Sequence, residues 1–565
     1  MNTRAVAFAV VFSLAAAAAV TVDRFVDDPN EQVPRNILYT TQPVGGAFVC
    51  PAAGTEAGVA TSIFLARTSE AQSQTSDDGG ATQHTDYAVT TMQAAQRQSE
   101  TRGTLGAGDY RITDVSGMPI IRWYGLPAMV SREWAFEAGD YPPGIVSGAC
   151  VQAIATQWVI PGMETSGGAE ARLFIANPFR SDATIAVRFM TPEGPEGPLA
   201  LQNVSVAAGS TIELSVNDVL PERDDLAAII EVAAGRVAVE GVQFMRSAIG
   251  GIDGVSLLAA AAHPSEAWTV PWVADTDEAS SWLWVVNPSD RVAPVEVSVS
   301  TASGGTVVDG LEEVLVEPGM QQRIPLAGAI VNGGSAAVTV RSDGVPIVVS
   351  AGTQIATPSA ERSGHIVQLG AAAASDRWIV HGGNGVDRDE YLYVVNAGSQ
   401  AADVILQLRV NGAVRRLGAL QEFTVPPGVT AGLDISEFVQ DAEHWVASFE
   451  ASSGRIVVGR SGGAATGERR LVATLGTPAW SFAADGPMLE GARSDELVRR
   501  LHTALGVVAA DPFAPVPPAS SPFWTVLRDE ADAVAPPPSA RTGGVPRITP
   551  AVPGTREADS ATSAD

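Results

Sequence analysis

The residues with chemical capability are few and scattered. Six histidines stand in a chain of 565 residues: His84, His263, His365, His381, His444 and His502. None lies at metal-ligand spacing from another or from a cysteine, and no His-Glu-x-x-His pair or Walker loop occurs. The densest carboxylates sit in two loops, Asp275-Thr-Asp277-Glu278 and Asp387-Arg-Asp389-Glu390. Oxygen ligands so grouped can hold Ca²⁺, which makes Asp275, Asp277, Asp387 and Asp389 the metal candidates. A solvated acidic loop is the simpler reading, and the chain is expected to need no cofactor. Trp282 with Trp284, and Tyr391 with Tyr393, are spaced to share one face of a strand. Such a pair can stack on a sugar ring or fill a core. His381 replaces a proline, Pro161 or Pro271, found at the matching place elsewhere, and is expected to face solvent. Catalytic residues are not predicted.

These residues recur because the chain repeats itself. Trp158, Trp268 and Trp378 stand at intervals of about 110 residues. In register with them run Leu173-Phe-Ile-Ala-Asn177-Pro, Leu283-Trp-Val-Val-Asn287-Pro and Leu392-Tyr-Val-Val-Asn396-Ala. A turn follows at Val206-Ala-Ala-Gly209, Val316-Glu-Pro-Gly319 and Val425-Pro-Pro-Gly428, then Gly-Arg-Val, Val-Pro-Ile and Gly-Arg-Ile at 235–237, 345–347 and 454–456. Phe48-Val-Cys-Pro51 and Ile63-Phe-Leu-Ala66 form a degenerate earlier copy, and Trp480-Ser-Phe reads as an orphan restart.

Period-two alternation marks the strands. Val295, Val297 and Val299 alternate with Glu296 and Ser298, and Val404, Leu406, Leu408 and Val410 alternate in the same way. Punctuation by Gly, Pro, Asn and Ser gives seven or eight strands per copy. The predicted fold is all-β: tandem Ig-like β-sandwich modules of about 110 residues. The alternative is a propeller-like or strand-exchanged β array, in which the last strand returns to earlier ones. The modules are expected at 48–150, 151–260, 261–370 and 371–482, the first interrupted by a polar loop or weak strands over 68–108.

The flanks speak to location. Arg4 precedes an uncharged apolar run, Ala5–Val22, so residues 1–24 read as a signal peptide or an uncleaved membrane anchor, followed by a spacer over 25–47. An anchor would place the bulk outside the cell membrane; cleavage would release a secreted chain. Residues 483–510 include a short helical stripe, and 511–565 form a Pro-rich disordered tail. Cys50 and Cys150, the two cysteines of an exported chain, are expected to form a disulfide closing the first module. In the chain-entropy picture a loop of about 100 residues makes that bond worth up to roughly 4–5 kcal/mol. A net charge of −28 repels polyanions and argues against nucleic-acid partners.

At its W-x-V-P, L-x-V-x-N-P and V-x-P-G motifs the chain resembles an actinobacterial envelope-protein family of unknown function, the domain of unknown function 5719. The resemblance implies an N-terminal membrane segment, repeated β modules and an exported protein, over about residues 1–485. It carries over no catalytic residue. The expectation is therefore a non-enzymatic extracytoplasmic envelope protein, a scaffold, spacer or adhesive surface. Its partners would be envelope proteins or polysaccharide; glycan binding is the alternative, and a hydrolase the third.

Overall fold

The computed structural model describes residues 44–478, apart from 52–59, 68–84, 94–95, 107–108, 116, 126–127, 137–143, 152–154, 180, 247–253, 331–332, 357–363, 384–387, 441 and 465–470. The predicted signal or anchor, most of the spacer, the helical stripe and the Pro-rich tail lie outside the described residues. Within them the chain is nearly all strand, with one α-helical turn at Ser436–Val439 and two short 3-10 turns at Leu199–Leu201 and Gly418–Leu420.

The third module shows the plan. Its outer sheet orders an opening strand, Ala267–Asp275, then Gly334–Ser342, Ala293–Thr301 and Gly304–Val307. Its inner sheet orders Gln321–Pro325, Ala279–Val286, Val348–Ile355 and a closing strand, Gly364–Leu369. All these pairings are antiparallel. The other modules repeat both orders, opening at Val44–Val49, Gln157–Met163 and Arg377–Gly383 and closing at Gly144–Ala149, Gly254–Ala259 and Leu471–Leu475. Divergence of the first module is thus one of sequence and not of topology. Where a loop or weak strands were expected over 68–108, Thr85–Gln93 and Gln96–Leu105 form a long hairpin. Thr90, Thr91 and Asp86 are buried there, so polar composition hid a strand that the rest of the module covers.

Alternation appears where one face meets water. Val404, Leu406, Leu408 and Val410 are buried, while Asp403 and Ile405 are exposed. Inner strands break the rule: all of Ser281–Val286 is buried. A sheet covered on both faces reads as a continuous apolar run. The outer sheet of the same module covers Leu283 and Val285, whereas Trp282 and Trp284 join the core of the second module.

The repeated landmarks are hydrogen-bonding devices. Asn287, fully buried, donates from Nδ2 to the carbonyls of Arg291 and Val316, and its Oδ1 accepts the Ser289 N–H. Asn177 and Asn396 make the same bonds. Each ties the end of the second strand to the V-x-x-G turn. The turn glycines adopt positive φ, +72° at Gly319 and +69° at Gly428, as a turn with glycine in third place requires. Trp268 and Trp378 donate from Nε1 to the carbonyls of Ile347 and Ile456. First and fourth landmarks are thereby joined.

After each closing strand the chain crosses back to its own opening strand. Val151 bridges Val49, Ala261 bridges Val159, and Ala371 bridges Thr269. Thr477 and Pro478 pair with Ile379 and Trp378 in the same sense. The residues before Trp480 therefore complete the fourth module; the orphan restart expected at Trp480-Ser-Phe lies outside the described residues. In the first module Cys50 and Cys150 adjoin the Val49–Val151 bridge, and they are joined in a disulfide with Cα atoms 4.8 Å apart.

The modules close on one another. Gly144–Ala149 packs against Gly254–Ala259, that strand against Gly364–Leu369, that against Leu471–Leu475, and the last against Gly144–Ala149 again. Edge strands that would otherwise offer unpaired backbone are turned inward. Ser256 Oγ accepts the Val367 N–H at 3.0 Å and donates to the His365 carbonyl at 3.2 Å, spanning two closing strands. Between modules the outer sheet of one lies on the inner sheet of the next, and the fourth lies on the first. The circuit combines the sandwich expectation with the closure that the alternative anticipated.

Candidate functional site in the buried polar seams

The polar chemistry of the described chain collects where modules meet. At the seam between the fourth and first modules, Arg377–Gly383 lies against Ala128–Phe136. His381 Nδ1 is 2.7 Å from Ser131 Oγ and Nε2 is 3.3 Å from Ser147 Oγ. Its ring packs on Phe64 with centroids 3.9 Å apart. Burial pushes the imidazole pKa down to about 3, the nearby Arg460 guanidinium adds to this, and a backbone hydrogen bond with Arg132 opposes it. The expectation that His381 faces solvent is overturned. The ring fills the seam because the first module supplies two hydroxyls and a phenyl face at that point.

Arg460 is the charged centre beside it. Fully buried, it donates Nε to Glu390 Oε2 at 2.8 Å, Nη2 to Glu390 Oε1 at 2.6 Å, and Nη1 to the His381 carbonyl at 3.0 Å. Nη1 also lies 3.5 Å from Glu133 Oε2 of the first module. The guanidinium stacks on Trp445 at 5.0 Å. Burial alone would favour its neutral form, but Glu390 and Glu133 outweigh that and favour the charged form. Nearer the surface, the Gly412 N–H donates to the Tyr110 hydroxyl at 2.6 Å, a further tie between first and fourth modules. At the next seam Arg132, buried over Trp134, pairs with buried Glu240 of the second module.

Aromatic rings dominate the seam between the second and third modules. Trp282 and Trp284 meet edge to face at 5.4 Å. Trp284 Nε1 donates to Asp225 Oδ1 at 2.6 Å, and Arg323 stacks 3.9 Å from the Trp282 ring centroid. Glycine is needed to seat both rings. A Cβ on Gly162 would come within 2.6 Å of Trp284, and one on Gly352 within 2.5 Å of Trp282. His365 stacks on Trp282 at 5.6 Å, with its pKa lowered to about 4 by burial, reinforced by Arg323. Among the described residues neither of its ring nitrogens has a hydrogen-bond partner. At the edge of this seam half-buried Glu164 is raised to about 7 by burial, with Arg323 opposing and Asp225 and Asp224 reinforcing.

Three of the four sugar-stacking candidates are therefore interior, and Tyr391 is half-buried against the cluster around Tyr393. Trp282 is 5% exposed, Trp284 not at all and Tyr393 only 8%. Tyr393 packs near Trp272 of the third module, and its hydroxyl is 3.2 Å from Ser461 Oγ. Rings buried between modules present no face to a saccharide. Spacing places Trp282 and Trp284 on one strand face, but the module that covers them is distant in sequence and leaves no mark on their spacing.

The carboxylate candidates do not converge. Asp275 Oδ2 accepts the Gly328 N–H at 2.7 Å, which anchors its loop. Asp277 is exposed, Asp389 half-buried, and Asp387 lies outside the described residues. Among the described residues no group of three or more His, Cys, Asp or Glu is placed to hold a metal.

Sequence reasoning missed Arg460 and Arg132. Both occupy the inner-strand place taken by Gly241 and Ala351 in the middle modules, opposite Leu392 and Ile63. An arginine inside an apolar run such as Val457-Val-Gly-Arg460 was the available signal. The same run contains Gly459-Arg-Ser461-Gly-Gly463, a Gly-x-Ser-x-Gly spacing. A nucleophile elbow needs a sharp strand-to-helix turn, whereas Ser461 lies within the strand Val457–Ala464, paired to Tyr391.

A family model described as a family of unknown function (DUF5719) matches residues 126–363 and 364–459. The match begins within the first module, later than the resemblance read from the motifs. No curated protein matches. Among solved structures, a crystal structure of Streptomyces avermitilis α-L-rhamnosidase complexed with L-rhamnose is 10% identical, with a TM-score of 0.13. The alignment covers 69% of this chain and 54% of that one, so the chain spans about half the length of that protein. At that TM-score the likeness carries no argument.

Proposed function

The chain belongs to the DUF5719 family of unknown function, and from that premise we propose that it is a non-enzymatic scaffold of the cell envelope, its four modules forming a rigid body outside the membrane. The observation that carries this reading is how the described polar and aromatic groups are used. His381, Arg460, Arg132, Glu240, Trp282 and Trp284 are buried in contacts that hold modules together. A disulfide in the first module suits an oxidising compartment. The apolar run Ala5–Val22 supplies a means of export or anchoring.

Crosslinking in intact cells followed by fractionation tests this. The scaffold reading expects the chain in the membrane or wall fraction, crosslinked to envelope proteins, with Cys50 and Cys150 oxidised. Recovery from the cytosol with both thiols free would contradict it.

A second reading is recognition of cell-wall glycan, favoured by the polar niche of Glu164, Asp224, Asp225 and Arg323 beside Trp284. A carboxyl group that titrates near neutrality and a guanidinium can both bond sugar hydroxyls. Binding of wall polysaccharide fragments that Arg323→Ala weakens at least tenfold would favour this reading over the first. Equal binding by both proteins would exclude the niche.

A further inference from the structure

Four seams of one kind close the circuit, yet they are not equivalent in the covalent chain. Residues 150–156, 260–266 and 370–376 connect consecutive modules, so three seams are tethered. The seam between the fourth and first modules has no such link, because these two modules are not consecutive in the sequence. Among the described residues it is held by noncovalent contacts: Leu471–Leu475 on Gly144–Ala149, Ile379 and Val446 against Phe64, Ala66 and Met129, His381 on Ser131 and Ser147, Arg460 beside Glu133, and the Gly412–Tyr110 bond.

The seam is also heterologous. An outer sheet meets an inner sheet, as it does where the first module meets the second through Val49, Met118 and Ile120 on Ala176 and Ala238. Surfaces that join head to tail close a ring within one molecule or join separate molecules, depending on which partner is present.

We propose that the seam between the fourth and first modules is a clasp that opens as a unit, and that its two faces fit those of a second copy of this chain. The partner follows from the intrachain contact, since the fourth module's outer sheet already covers the first module's inner sheet. An opened molecule carries one face of each kind. Because four such steps close the circuit, a second copy's first module fits only where the molecule's own first module has swung out, and exchange of first modules between two opened molecules then reproduces the same contacts in trans. Further addition gives head-to-tail chains, an assembly that suits the scaffold reading but does not depend on it.

Acid is the natural trigger. Charged or titratable groups around His381 are Arg132 and Glu133 on the facing strand, Arg460 and Glu390 on the fourth module's inner sheet, and His444 across Phe64. A proton on His381 would place a second cation beside Arg460 in a seam where its ring meets two hydroxyls and the Arg132 backbone but no carboxylate. Its pKa lies below that of an exposed histidine, so each pH unit below about 6.5 favours the open form up to tenfold until the buried ring itself titrates. His365 adds acid lability at a tethered seam, where separation of chains is not possible.

The test uses the full chain with Leu199, 91% exposed, replaced by a labelled cysteine. Donor and acceptor batches are mixed, held at pH 7.5 or pH 4.5, and returned to pH 7.5. The expected result is energy transfer between chains after the acid interval, at least tenfold faster than at pH 7.5. Light scattering should then show integer multiples of the monomer mass. His381→Gln, which keeps a bond to Ser131 but cannot take the proton, should suppress the acid effect. Tyr110→Phe should speed exchange at pH 7.5. Chains that stay unmixed after acid, products without integer masses, or equal acid stimulation in the wild type and His381→Gln would overturn the proposal.

Discussion

The seam between the second and third modules and the seam between the fourth and first solve one packing problem with opposite chemistry. One is an aromatic wedge, Trp282 and Trp284, capped by Arg323 and seated on glycines. The other is a charged knot, Arg460 with Glu390 and Glu133, lined by a neutral histidine. Aromatic burial is non-directional and tolerates small shifts. A buried ion pair contributes little net stability over an apolar replacement, but breaking it is costly. The difference teaches that the tethered seam is built for adhesion and the untethered one for register.

Substitutions can break that contrast, and the largest effects come first. Trp284→Ala should cost about 3–5 kcal/mol by leaving a cavity and stripping Asp225 of its donor. Arg460→Ala should cost a similar 3–5 kcal/mol, because Glu390 is left as a buried lone charge. Chemical denaturation measures both. The double change Arg460→Met with Glu390→Met separates the two seams: it should recover most of that loss, and a double change as unstable as Arg460→Ala would refute the account of the knot.

Asn287→Ala should follow, costing about 1–3 kcal/mol, since the buried carbonyl of Val316 loses this donor and the turn loses its tie to the Arg291 carbonyl. The same change at Asn177 or Asn396 should cost about as much, which checks that the landmark is a repeated device.

The pH dependence sharpens the comparison further. His381 is held neutral in the fold, with its pKa lowered to about 3, so its stabilising contribution is complete above about pH 6.5. Below that it falls by as much as 1.4 kcal/mol per pH unit until the buried ring titrates. His381→Gln should flatten the profile between pH 6 and pH 4, as read by thermal melts. The smallest effect belongs to the exposed acidic loop, where Asp277→Ala should change stability by about 0.5 kcal/mol or less, with or without Ca²⁺.

Architecture was legible because it is repetitive. Alternation at Val295–Val299 and Val404–Val410 gave strand faces, and the Asn and Gly landmarks gave the turns. The seams were not legible, for a physical reason. Period and propensity report what a segment buries, not which neighbour buries it. Trp282 and Trp284 read equally well as a platform or a core until the covering module was present. His381 looked like a lapse in a proline landmark, because its partners Ser131 and Ser147 lie 250 and 234 residues away. Polarity in Thr85–Leu105 masked a hairpin for the same reason.

The central claim is that the fourth module closes on the first in solution. Replacing Tyr110 with a benzoylphenylalanine photocrosslinker tests it most directly, since the Tyr110 hydroxyl accepts the Gly412 N–H at 2.6 Å. Illumination of dilute protein at pH 7.5, followed by peptide mapping, should join the peptide containing residue 110 to one containing residues 411–413 within a single chain. A photoproduct confined to first-module peptides would contradict the closed circuit.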